Sequence, residues 1–127
     1  DPEAAPLRVT AQASRWQWTF GYPSLPVAGG TVGRLHLPAG RPVDVHVGST
    51  DVIHSFWVPR LAGKVDAIPG RINVLRLEAR EPGVYAGLCA EYCGTGHARH
   101  GFEVEVHAAP DWAGAVAREA ARAAAAP

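Results

Sequence analysis

Methionine is absent from this chain, and cysteine occurs only twice, as Cys89 and Cys93. The first absence removes the thioether from the available metal ligands. The second limits the chain to one disulfide. A three-residue spacing makes that a poor staple, because closing so short a loop removes little entropy from the unfolded chain. An excess of either charge is also missing: 12 Lys and Arg against 12 Asp and Glu give a net charge of zero. A dominant nucleic-acid surface needs a basic surplus, so no nucleic-acid partner is expected. No apolar run reaches bilayer-spanning length, and no basic-then-apolar leader opens the chain. Opening on Asp1 without any Met, the sequence reads as a processed chain or a piece of a longer one. It has no internal repeat, no glycine-rich phosphate loop, and no Ser or Cys set beside a base in a nucleophile motif.

What is present is a single domain's worth of globular sequence: 127 residues, 47% hydrophobic and 19% charged. Apolar and polar residues alternate in short runs punctuated by Pro and Gly. Leu7, Val9 and Ala11 share one parity, and Trp16, Trp18 and Phe20 share another stretch of the same pattern. Residues 31–37 read as one strand, 43–47 as the cleanest alternation with Val43, Val45 and Val47 inward, and 53–59 as a further extended piece. Residues 60–71 read as a long loop, 72–79, 84–89 and 102–107 as strands. Such a series predicts an all-β Greek-key sandwich or barrel. Beyond Pro110 the composition turns Ala-rich, which predicts a short helix capped by Asp111, weakly packed because its apolar face is mostly Ala. The expected division is a domain over 1–110 and a helix or tether over 111–127.

The chemistry concentrates in Cys89-Ala-Glu-Tyr-Cys93-Gly-Thr-Gly-His97-Ala-Arg-His100, between two expected strands. Two thiolates and imidazoles so close together suit copper or zinc rather than calcium or magnesium. His54 lies far upstream. Loops cluster at one end of a Greek-key sandwich, so His54 is placed to join the set. The plain alternative is a small structural zinc site or two buried thiols. Against it, zinc commonly folds domains that lack a core, and this chain has apolar strands enough to fold without one.

The stretches RWQWTFGYP, STDVIHSFWVPRLAGKVDAIPGRIN and EPGVYAGLCAEYCGTGH, in that order, resemble the soluble copper domain of cytochrome c oxidase subunit II of the bacterial haem-copper oxidases. The resemblance runs from about Trp16 to Val106. It implies a cupredoxin-like fold and a binuclear Cu-A centre of two copper ions. It implies that Cys89 and Cys93 bridge both coppers, that His54 and His97 are terminal ligands of one copper each, and that the Glu91 backbone carbonyl binds the copper bearing His97. The Glu91 side chain would meet magnesium in the assembled oxidase, at a site shared with subunit I. Trp16 falls at the electron-entry position facing cytochrome c. Asp66 and Arg71 match positions near the catalytic subunit. The family location is the periplasmic, outer face of the bacterial cytoplasmic membrane, anchored by transmembrane helices that these residues do not include. The activity implied is electron transfer from cytochrome c to haem in subunit I, with oxygen chemistry left to the partner.

One position departs from the family: His100 stands where the family has a weak axial Met. A bound imidazole is a harder, stronger donor that favours the oxidised metal and lowers the reduction potential. An unbound His100 leaves the copper bearing His54 effectively three-coordinate. Ligation by His100 is the reading favoured over non-ligation. The competing readings are a nitrous oxide reductase-type Cu-A domain, which tends to carry Trp where this chain has Glu91, a copper delivery or sensor module, and a structural zinc domain. Among the remaining residues, His36 and His46 are expected to face solvent, and His107 to matter little. Phe56 and Trp57 are expected to pack around the site. Asp44, Asp51 and Asp66 are candidate acids for docking a basic cytochrome.

Overall fold

The computed structural model describes residues 5–15, 17–89 and 101–125. The strands are β1 (Leu7–Ser14), β2 (Gln17–Gly21), β3 (Thr31–Val32), β4 (Arg34–Pro38), β5 (Val43–Ser49), β6 (His54–Trp57), β7 (Lys64–Ala67), β8 (Asn73–Leu77), β9 (Gly83–Cys89) and β10 (Phe102–His107). A 3-10 turn, Ala109–Asp111, leads into helix α1 (Trp112–Ala125). One sheet has the order β3-β2-β1-β5-β8 and the other β4-β10-β9-β6-β7. Each is antiparallel except for one parallel pair, β1 with β5 and β4 with β10. This is the all-β, cupredoxin-like sandwich with a short C-terminal helix that the alternation predicts.

Period-two alternation fixes which face is buried. Leu7, Val9, Ala11 and Ala13 of β1, Val43, Val45 and Val47 of β5, and Val104 and Val106 of β10 all point into the space between the sheets. Trp18, Phe20, Leu35, Leu37 and Phe56 complete that core, each at most 2% exposed. Full burial of one such apolar side chain stabilises the fold by about 1.5–3 kcal/mol.

Three local expectations are corrected. Residues 31–37 are two strands in different sheets, because Gly33 sits at φ 78°, a left-handed conformation that glycine takes without strain. Its N–H bonds to the Trp18 carbonyl in the first sheet and its carbonyl accepts from Glu103 N–H in the second, so it forms the corner between them. Residues 60–71 contain β7, an edge strand paired only with β6 and exposing Lys64 and Asp66; it buries only Ala67, so its alternation is faint. Helix α1 is anchored rather than loosely attached. Trp112, Ala115, Val116 and Ala120 are buried, and Trp112 Nε1 donates to the His36 carbonyl at 2.8 Å. Asp111 ends the 3-10 turn and immediately precedes α1.

His36 is likewise buried, not solvent-facing, at 3% exposure. Strand β4 turns Leu35 and Leu37 to the core, and α1 covers its other face. His107 is its hydrogen-bond partner at 2.8 Å. His46 lies half-buried on the outer face of β5.

Candidate metal centre

Strands β1 and β5 run parallel and finish together, joined by a bond from Thr50 N–H to the Ala13 carbonyl at 2.9 Å. The chain leaves β5 through a tight turn organised by Asp51. Its Oδ1 accepts from Val52 N–H at 2.6 Å, and its Oδ2 accepts from Arg15 N–H at 2.6 Å, tying the β1–β2 hairpin to the turn. Ser49 Oγ donates to the Val52 carbonyl and accepts from Asp51 N–H. This turn delivers His54 to the first position of β6, where it is completely buried.

The imidazole of His54 is oriented from both sides. Its Nε2 is 2.8 Å from Asp51 Oδ1. An ionised carboxylate only accepts, so Nε2 donates to Asp51 and Nδ1 is the nitrogen turned toward Cys89. Partial burial raises the Asp51 carboxyl, but bonds from His54, Val52 and Arg15 outweigh that and hold its pKa at about 2. Asp51 is therefore the ionised acceptor this geometry requires. On the other side, His54 Nδ1 lies 4.0 Å from Cys89 Sγ. Cys89 is the last residue of β9 and is paired across strands with Phe56.

An aromatic wall backs the pair. Trp18 meets His54 edge-on at 6.3 Å between ring centroids and Phe56 at 5.7 Å. Phe102 stacks on Phe56 at 5.0 Å and tilts against Trp18 at 5.3 Å. The rings pack around His54 and Phe56 and hold the His54 side chain in place. Imidazole and thiolate bonds to a borderline metal sum to about 4.3 Å. His54 and Cys89, with Nδ1 and Sγ 4.0 Å apart, could hold one metal ion between them, and these donors fit copper.

Of the residues singled out in the sequence, the structure brings His54 and Cys89 together. Trp16, Glu91, Cys93, His97 and His100 lie outside the described residues. Phe56 packs behind the site as expected. Trp57 is half-buried under Lys64, whose Nζ is 5.5 Å from the ring centroid. Asp66 and Arg71 are exposed. The docking acids are not uniformly free: Asp51 is engaged by His54, and Asp44 forms a bidentate pair with Arg76 across β5 and β8 at 2.7 and 3.0 Å. Asp51 as the positioner of His54 was missed. The signal for it is the Asp-x-x-His spacing of Asp51 and His54. Also missed was a cluster of His36, Glu105 and His107, the only group of this kind among the described residues.

With this geometry in place, comparison with known proteins is informative. A family model described as cytochrome c oxidase subunit II, periplasmic domain, matches residues 30–106. Cytochrome c oxidase subunit 2 of Alkalihalophilus pseudofirmus is 42% identical over 107 residues, covering 82% of this chain and 30% of that protein. A quinol oxidase subunit 2 of Bacillus cereus is 36% identical over 100 residues, 79% of this chain and 34% of that protein. The crystal structure of the periplasmic domain of subunit II of cytochrome oxidase from Bradyrhizobium japonicum superposes with a TM-score of 0.81 at 28% identity, covering 93% of this chain and 96% of that one. The chain spans about a third of the length of the curated relatives it matches. Among the described residues no helix is long and apolar enough to cross a membrane. On sequence and fold together, the chain belongs to the cytochrome c oxidase subunit II family and corresponds to its periplasmic domain.

Proposed function

We propose that this domain, over residues 1–110, is an electron-transfer module that takes electrons from cytochrome c and passes them to haem in oxidase subunit I. The helix beyond packs against β4 as part of the same core, and the whole would sit on the outer face of the bacterial membrane. The relatives include a quinol oxidase subunit as well as cytochrome c oxidase subunits, so family membership alone leaves the donor open. The observation that carries the reading is the buried His54 Nδ1 set 4.0 Å from Cys89 Sγ, with Nε2 held by Asp51. A donor pair of this kind, in a chain that also supplies Cys93 and His97, is a metal-binding set rather than packing.

Two copper ions would be held by Cys89, Cys93, His54 and His97, with the Glu91 carbonyl and His100 completing the set. Magnesium would meet the Glu91 side chain only in the assembled oxidase. Bound there, the copper pair supplies a one-electron carrier whose charge is shared between two metals. The protein keeps the reorganisation small: Asp51 locks the His54 ring, and Trp18, Phe56 and Phe102 hold it in a dry, packed wall. Arg15 also connects the hairpin to this network, its N–H on Asp51 and Asp51 on His54. Trp16 follows Arg15 directly, so a short bonded path links the expected entry residue to a ligand.

Rapid mixing of the copper-loaded domain with reduced cytochrome c tests the proposal. The expected result is oxidation of the cytochrome with one electron taken up per two coppers, slowed at least tenfold in Trp16→Ala. No electron uptake by a protein carrying two coppers would contradict it. Binding of one copper, or of zinc alone, would favour a delivery or structural role.

A further inference from the structure

Away from the Cys89 end, three potential ligands share the outer face of the second sheet. His36 on β4 is the cross-strand partner of Glu105 on β10, and His107 follows Glu105 two residues on, so all three point to one side. One donor atom from each lies within 4.8 Å of the others. We propose that His36, Glu105 and His107 form a second metal site, for a divalent ion of the zinc class, separate from the cysteine centre.

The two imidazoles are already paired through His36 Nδ1 and His107 Nε2 at 2.8 Å, their rings within 17° of parallel. Two neutral imidazoles hold one shared proton in such a contact. A divalent ion replaces it by opening the gap to about 3.3 Å, the separation of two nitrogens on a tetrahedral ion. That movement is small for side chains on a rigid sheet. Burial first, and then the neighbouring His107, hold the His36 pKa below the ordinary histidine value, so its ring is neutral and able to ligate.

The other nitrogen of His36 supplies an independent sign. Nε2 is buried, in a residue 3% exposed, and meets a carboxylate at ion-pair distance without the alignment of a hydrogen bond. It points toward Glu119 Oε1 of α1 at 3.4 Å. Metal-bound histidines characteristically offer their second ring nitrogen to a carboxylate, and this is the same disposition that Asp51 gives His54. Glu105 Oε2 lies 3.9 Å from His107 Nδ1, the ring nitrogen turned away from His36, and its Oε1 is held by Arg34, so Glu105 completes the set by turning its carboxylate toward the side of His107 Nε2. Glu105 and Glu119 remain partly exposed, which leaves an entry path. An ion here would clip β4 to β10 under α1, where Trp112 already bonds to the His36 carbonyl.

The test uses Zn2+ alone, titrated by calorimetry and equilibrium dialysis into the copper-loaded domain and into a Cys89→Ser/Cys93→Ser variant. The expected result is one equivalent of Zn2+ in both, a raised unfolding temperature, and at least tenfold weaker binding in His107→Ala. Glu105→Gln provides a milder second variant, since Arg34 keeps Glu103 as a partner. It should weaken binding as well, and Co2+ in the same site should show no thiolate charge-transfer band. Absence of Zn2+ uptake in both proteins overturns the proposal. So does uptake that survives in folded His107→Ala and Glu105→Gln but disappears in His46→Gln or with the thiolates.

Discussion

Asp51 Oδ1 sits 2.8 Å from His54 Nε2, on the side of the ring away from Cys89. The same carboxylate receives the backbone N–H groups of Val52 and Arg15. One side chain therefore builds the turn, fixes the histidine tautomer and ties in the neighbouring hairpin. The electrostatics follow from those bonds rather than from long-range charge.

Asp51→Asn keeps the shape and removes the charge. Copper retention against a competing chelator should weaken by about 10–100-fold, the usual cost of losing a carboxylate behind a metal-bound histidine. The fold, followed by circular dichroism, should persist. Retention equal to that of the parent protein would show that Asp51 serves the turn alone.

Tyr22 is a buried structural acid. Its hydroxyl pairs with Thr31 Oγ1 at 2.8 Å and accepts from His36 N–H at 3.0 Å. Burial pushes its pKa up to about 12 from 10.0, only partly offset by those bonds. The folded state thus favours the neutral phenol. Its contribution is complete below pH 10 and lost as pH rises from there through 12. Tyr22→Phe leaves the His36 N–H without its acceptor and should cost about 1–3 kcal/mol in urea unfolding at neutral pH. The variant should also lose stability less steeply between pH 10 and 12, and an unchanged alkaline slope would refute the assignment.

Gly87 lies opposite Phe102 across β9 and β10, and the Phe102 ring occupies the place where a Cβ would project. Gly87→Ala must displace a ring that stacks on Phe56 and touches Trp18. Denaturant unfolding should show a loss of about 1–3 kcal/mol, typical of overpacking. A change below a few tenths would mean that the aromatic wall behind His54 is more yielding than its packing indicates.

His100→Met restores the donor that the resembling family carries. Redox titration of the copper-loaded variant should give a higher midpoint potential than the parent, with an altered visible spectrum. Identical potential and spectrum would place His100 outside the coordination sphere.

Much of the fold was legible because single-parity runs such as Val43, Val45 and Val47 can bury only one face. The corner at Gly33 was not legible, since a single glycine within 31–37 does not announce that the chain changes sheets there. The burial of His36 depends on α1 returning over β4, a long-range contact that strand periodicity cannot encode. For the site, the cysteine segment and His54 announced themselves by residue type. Asp51 did not, because an acid beside a turn is ordinary until its partners are known.

The proposed centre is a pair of coppers sharing one electron, held by two thiolates and two histidines. Electron paramagnetic resonance of the copper-loaded, oxidised domain, read with its metal content, tests this most directly. Two coppers per chain should give one unpaired spin split by both nuclei, and Cys93→Ser should abolish that pattern. A signal from a single copper nucleus in the intact chain, or a protein that takes up zinc and no paired copper, would contradict it.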